Sequence, residues 1–209
     1  MGTYPIFLEM NDRRCVVIGG GAVAERKVEG LLAAGAKVTV VSPALKGGLQ
    51  RLLSRGAIRH LPHEHRAGDL AGYDLAFVAM DDPELNAAAC GEARSQNIWV
   101  NSADDPAHCD FLLPAVIRRG DLVVAVSTGG ASPALARVIR EELEEVFTAD
   151  YAQLLKIAGE VRRELWEKSI HASAEAWNNA LKGDFRRLFK AGKLERAKAL
   201  LLETLGGES

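Results

Sequence analysis

The chain has 209 residues, 48% of them hydrophobic and 26% charged, and a net charge of −2. That length exceeds one domain of about 100–150 residues and leaves room for a smaller second region. The near-neutral balance gives no electrostatic reason to expect nucleic acid or an anionic membrane as partner. No run of about 18 apolar residues occurs, and the start Met-Gly-Thr-Tyr-Pro lacks a basic-then-apolar leader pattern. The three cysteines, Cys15, Cys90 and Cys109, are scattered and odd in number, which argues for free thiols in a reducing compartment. The expectation is a soluble cytoplasmic protein that binds neither nucleic acid nor membrane.

The apolar segment Ile6-Phe7-Leu8 precedes a run, Cys15-Val-Val-Ile18, that breaks into Gly19-Gly20-Gly21-Ala22-Val23-Ala24 and continues as a helix former. Gly19 permits a sharp strand-to-helix turn, Gly21 lets the backbone approach a pyrophosphate, and Ala24 lets the helix pack on its strand. The pyrophosphate would rest on the helix N-terminus. A second apolar run, Lys37–Val41, follows at the distance of a βαβ unit. A degenerate Rossmann fold that keeps the turn only for packing is the alternative.

Periodicity then predicts strand Val16–Ile18, helix Ala22–Ala34 ended by Gly35, and strand Val38–Val41 closed by Ser42-Pro43. Helix Leu45–Arg55 is stopped by Gly56; Ile58–Leu61 reads as a short strand and Leu75–Ala79 as a buried one. Helix Pro83–Gln96 and a strand from Trp99 to Asn101, running into Ala103-Asp104-Asp105-Pro106, complete an α/β, Rossmann-like parallel sheet over residues 1–113. Ligands of such sheets gather at the carboxyl ends of the strands. Gly19–Gly21, Ser42-Pro43, Asp81-Asp82 and Asn101–Asp104 all fall there.

A small α+β region occupies residues 114–149. Ala115–Arg118 and Leu122–Ser127 read as two strands, and Thr128-Gly-Gly-Ala-Ser-Pro133 opens a helix with Ser132 as N-cap and Pro133 at its first position. Leu135, Val138, Ile139, Leu143 and Val146 mark one apolar face. Gly129-Gly130 is either a plain turn or a place where Ser127, Thr128 and nearby N–H groups hold an anionic substrate group. Residues 150–209 read as a helical domain of three helices, Tyr151–Lys168, Ala172–Leu181 and Leu194–Leu205, with Gly183 and Gly192 as breaks. That segment carries 11 basic and 9 acidic residues, a net +2, against 11 and 14, a net −3, over residues 1–113. On a helical bundle such an excess reads as a solvated face. Trp166, Trp177, Phe185 and Phe189 read as core rather than as a platform for a planar ligand.

His60-Leu-Pro-His-Glu-His65 invites a metal reading, but Pro62 forbids a regular helix there, and a solvated histidine-rich edge is expected instead. No metal-ligating residue is assigned. His108 and Cys109 stand nearer to Asp104 in the chain.

The runs Tyr4-Pro-Ile-Phe7, Val17 to Lys27, Asp81-Asp-Pro-Glu-Leu-Asn86, Val100-Asn-Ser-Ala-Asp-Asp105, Phe111-Leu-Leu-Pro114 and Val124 to Arg137 together resemble the precorrin-2 dehydrogenase/sirohydrochlorin ferrochelatase family, whose module also forms the N-terminal part of siroheme synthase. The resemblance implies NAD⁺-dependent oxidation of precorrin-2 to sirohydrochlorin, with Fe²⁺ insertion into that product in bifunctional members. It further implies a homodimer joined through residues 114–149. Asp104 corresponds to the family's catalytic aspartate. On physical grounds too, a carboxylate just beyond a strand could take a proton as hydride leaves, the alternative being that Asp104 or Asp105 merely caps the turn before Pro106. By the same resemblance Ala22, Val23, Pro43 and Ala44 contact the dinucleotide, beside Gly19, Gly20, Gly21 and Ser42. Asn101 is a substrate-side residue that orients its loop. The end of the second strand carries neither an acid for a ribose nor an arginine for a 2′-phosphate, so NAD rests on the family. A non-enzymatic NAD(H)- or tetrapyrrole-binding dimer is the alternative, although no helix-turn-helix with a basic recognition helix is evident.

Overall fold

The computed structural model describes residues 2–103 and 105–207. The chain divides into two compact units, Met1–Leu113 with Gly129–Ala131, and Pro114–Thr128 with Ser132–Ser209.

The first unit is built on five parallel strands: β1 (Arg14–Ile18), β2 (Lys37–Val41), β3 (Ile58–Leu61), β4 (Leu75–Val78) and β5 (Trp99–Ser102), in the order β3-β2-β1-β4-β5. Their near-continuous Val, Ile and Leu content suits a sheet covered on both faces. Alternation then sorts each strand. Cys15, Val17, Val38, Val40 and Phe77 face Ala24, Val28 and Leu31 of α1 (Ala22–Ala33) and Leu49 of α2 (Gly48–Ser54). Val16, Ile18, Ala76, Val78 and Val100 face Ala89, Cys90 and Ala93 of α3 (Pro83–Ser95). Covering helices thus change sides between β1 and β4, where the strand order reverses. A doubly wound sheet opens its ligand crevice at this point.

The sequence places α2 too early. The chain between Ser42 and Gly47 is drawn over the glycine-rich turn, the Lys46 N–H donating to Gly20 O at 3.0 Å, and the helix begins only at Gly48. A carboxylate from α1 caps it, Glu25 Oε2 accepting from the Gly48 N–H at 2.9 Å. The histidine-rich edge is also corrected. No helix connects β3 to β4, and the crossover turns His65 inward: its side chain is only 10% exposed, its Nε2 lies 3.2 Å from Glu92 of α3, and its Nδ1, 3.7 Å from Asp69, is buried without a hydrogen bond. His60 Nε2 lies 2.8 Å from Ser42 O.

In the second unit β6 (Ala115–Arg119) and β7 (Leu122–Val126) form an antiparallel hairpin, followed by α4 (Pro133–Val146). Ser132 caps α4, its Oγ accepting from the Leu135 N–H at 3.2 Å, with Pro133 at the first position as the sequence anticipates. Four helices follow: α5 (Asp150–Glu167), α6 (Ala174–Ala180), α7 (Gly183–Lys190) and α8 (Leu194–Gly206). The sequence shows only three of them, because Gly183 and Gly192 at the two ends of α7 signal breaks. Gly183 and Gly192, both at positive φ, bracket a helix that buries Phe185. Phe185 packs with Leu154, Ile157, Val161 and Leu165 of α5 and with Ala197, Leu201 and Leu205 of α8. Trp177 and Phe189 pack against this core, but Trp166 is 72% exposed and lies outside it. Leu201, fully buried, should cost about 2–5 kcal/mol when cut to alanine. A urea titration followed by far-UV circular dichroism would show this as an earlier transition for Leu201→Ala.

Candidate active site

The site grows from the end of β1. Gly19 has φ +121°, and a Cβ there would stand 2.2 Å from Ala79 O, so only glycine fits. Its N–H donates to Val41 O at 2.9 Å, while the Ala79 N–H donates to Ile18 O at 2.8 Å, and the turn is held between the exits of β2 and β4. A Cβ on Gly20 would lie 2.0 Å from Ala44 O and 2.5 Å from Ser42 Oγ. Gly21, the N-cap of α1, is different: its backbone is extended, no side chain caps the helix, and a Cβ would meet nothing within 4 Å. The first-turn N–H groups of a helix have no intrahelical acceptor. Here they face open space beside Ala22 and Val23, both exposed, while Ala24 is fully buried. A pyrophosphate fits this cradle.

At the end of β2, Pro43 and Ala44 are exposed and Ser42 is buried. The Ser42 hydroxyl donates to Ala44 O at 2.8 Å, which turns it into its own loop. Beyond β4, Asp82 caps α3 by accepting from the Glu84 N–H at 2.8 Å, and Asn86 bonds both backbone groups of Met80.

The end of β5 carries a compact polar cluster. Asn101, buried, accepts from Lys27 Nζ at 2.7 Å through Oδ1 and donates through Nδ2 to Phe111 O at 2.9 Å. Lys27 lies 5.5 Å from the Phe77 ring centroid, and Phe77 meets Phe111 edge to face. Cys109 Sγ accepts from the Ser102 N–H at 3.1 Å and closes the loop that contains one 3₁₀ turn, Pro106–His108. Asp105 pairs with His108 Nδ1. Asp104 lies outside the described residues. Val23, Arg26, Lys27, Ala103 and Leu113 line a cavity of about 280 Å³.

None of the three thiols is set up as a nucleophile. Burial pushes Cys15 up to about 11, helped by the Asp74 charge. Burial also raises Cys90, with the charges of Cys109 and Asp105 adding to it. Cys109 is raised by burial, against the opposing Ser102 hydrogen bond and Lys27 charge. All three stay protonated at neutral pH.

Ser127 and Thr128 belong to the second unit. The Thr128 hydroxyl donates to Ser132 O and accepts from the Ser132 N–H, both at 3.0 Å, which staples the Gly129-Gly130 turn. Ser127 is exposed. Sequence reasoning gave Lys27, Phe77 and Phe111 no part in the site. The available signal was the i, i+4 spacing of Val23 and Lys27 on the helix that follows the glycines.

Residues 6–115 match the family described as putative NAD(P)-binding, and residues 119–145 match that described as sirohaem biosynthesis protein, central. The siroheme synthase of Methylobacillus flagellatus is 39% identical over 99% of this chain and 45% of its own length. That of Methylococcus capsulatus is 39% identical over 97% of the chain and 43% of its own. The chain spans under half the length of these relatives. A solved structure described as SirC, precorrin-2 dehydrogenase, superposes with a TM-score of 0.74 at 25% identity, covering 95% of this chain and 98% of that one. With an NAD(P)-binding domain matched over more than half of its length, the chain belongs to the family of siroheme synthase N-terminal modules and precorrin-2 dehydrogenases.

Proposed function

We propose that the chain oxidises precorrin-2 to sirohydrochlorin, with NAD⁺ as hydride acceptor and Asp104 as proton acceptor. The supporting observation is the pairing of an open pyrophosphate cradle at Gly21 with a rigid polar cluster at the end of β5 in one parallel sheet. The reaction removes one hydride and one proton from the macrocycle. NAD⁺, when bound, takes the hydride. Gly19, Gly20, Gly21, Ala22 and Val23 hold its phosphates, and Ser42, Pro43 and Ala44 border its ribose. Val41 to Ala44 carries neither an acid for a ribose nor an arginine for a 2′-phosphate, so the choice of NAD over its 2′-phosphorylated form rests on the family resemblance. Asp104 follows Ala103 directly after β5, where a carboxylate can receive the proton. Asn101 orders this strand end, and Ser127 and Thr128 are candidate substrate-binding residues.

Mixing the protein with precorrin-2 and NAD⁺ should generate NADH absorbance; its absence would sink the enzymatic reading and leave a binding module. Asp104→Ala should lower turnover by roughly 10²–10⁴-fold with NAD⁺ affinity little changed. Wild-type turnover in the folded variant would remove Asp104 from the chemistry. Gly21→Asp should fold normally, because its side chain enters open space, yet lose NAD⁺ binding in a calorimetric titration. Undiminished affinity would refute the assignment of the cradle. Gly20→Ala, which drives a methyl into Ala44 O, should instead lower the melting temperature.

The second unit further supports a homodimer. Leu135, Val138 and Val146 on α4 are each about half exposed, a row of apolar side chains that a second copy would cover. Sedimentation at micromolar concentration should give a dimer, and Val138→Glu should shift it to monomer. A wild-type monomer would overturn the assignment.

A further inference from the structure

Lys27 is held by neighbours from two elements of the first unit. It leaves α1 one turn after Val23, its ammonium is hydrogen-bonded to Asn101 Oδ1 at 2.7 Å, and it stands 5.5 Å from the centroid of the Phe77 ring. Asn101 cannot rotate to release it, because its amide nitrogen is held at the same time by Phe111 O at 2.9 Å and the residue is only 5% exposed. Both ends of the amide are therefore engaged within the protein, and the group presented to the cavity is the lysine. Arg26 lines the same cavity of about 280 Å³, together with the apolar Val23, Ala103 and Leu113. Two adjacent cations thus share one concavity in a stretch, residues 1–113, whose net charge is −3. A positive charge held in place by its neighbours attracts an anion without the cost of ordering a mobile side chain.

We propose that Lys27, with Arg26, forms the subsite that receives a carboxylate side chain from the rim of the tetrapyrrole, and that Asn101 is a positioning residue acting through Lys27. This rests on the precorrin-2 reading: that macrocycle carries acetate and propionate groups around its edge, all ionised at neutral pH. One of them on Lys27 would fix the ring in its plane beside the end of β5. The match is of charge and shape, and no proton transfer is assigned to Lys27.

The probe is sirohydrochlorin, titrated by quenching of protein fluorescence at several salt concentrations, in parallel with its fully esterified form. Lys27→Met keeps an unbranched side chain of similar length and removes the charge that lies over the Phe77 ring. It should weaken binding of the acid roughly tenfold and flatten its salt dependence. It should leave the ester and NAD⁺ bound as in the wild type, and it should raise KM for precorrin-2 more than it lowers kcat. Lys27→Arg should retain the salt dependence. Equal affinity and equal salt slope in Lys27→Met, or an equal loss for the ester, would overturn the subsite. Should Lys27→Met fail to fold, Arg26→Gln at an exposed position decides: a reduced salt slope supports the subsite and an unchanged one refutes it. A wild type that forms no NADH from precorrin-2 refutes the dehydrogenase reading alone, since the binding titration judges the subsite independently. Failure to bind the acid at all refutes both.

Discussion

Everything in the first unit depends on three loops that meet backbone to backbone at the glycine-rich turn. The chain leaving β1 lies so close to that leaving β4 that a Cβ on Gly19 would sit 2.2 Å from Ala79 O, and a Cβ on Gly20 would sit 2.0 Å from Ala44 O beyond β2. Backbone groups at such proximity must be paired, and they are: Gly19 to Val41, Lys46 to Gly20, Ala79 to Ile18. This interlock explains why α2 starts late, why a glutamate from a different helix caps it, and why the loop after β2 is rigid where the ribose would lie. Gly21 alone escapes the crowding. A Cβ added there would meet nothing within 4 Å.

The end of β5 follows a second rule, that buried polar groups are paired, with the Ser102 hydroxyl, buried without a hydrogen bond, as its exception. Asn101 makes its bonds to Lys27 and Phe111, the Ser102 N–H is taken by Cys109, and the Val100 N–H by Asp110. The protonated thiols contribute packing and hydrogen bonds and supply no thiolate nucleophile. Lys27, partly withdrawn from water against Phe77, exerts a field stronger than a solvated ammonium would.

Much of this was legible in the chain. The order of strands and helices through residue 102 follows from apolar runs punctuated by glycine and proline, and the capping of α4 by Ser132 could be read from Ser-Pro alone. What escaped were features set by partners distant in sequence. The start of α2 is decided by Gly20 and Glu25, more than twenty residues upstream. The inward turn of His65 is decided by Glu92. Lys27 gains its meaning from Asn101, 74 positions away. Helix α7 was hidden by the glycines at its two ends, Gly183 and Gly192, which signal breaks.

Three residues within one turn of α1 face different neighbours. Ala24 is sealed against the sheet, Glu25 reaches the start of α2, and Lys27 reaches the end of β5. Each step along a helix turns it by about 100°. One residue inserted into or deleted from the glycine turn would therefore swing all three contacts off target together. The helix is a key cut on several sides, and the length of the turn before it is as constrained as its composition.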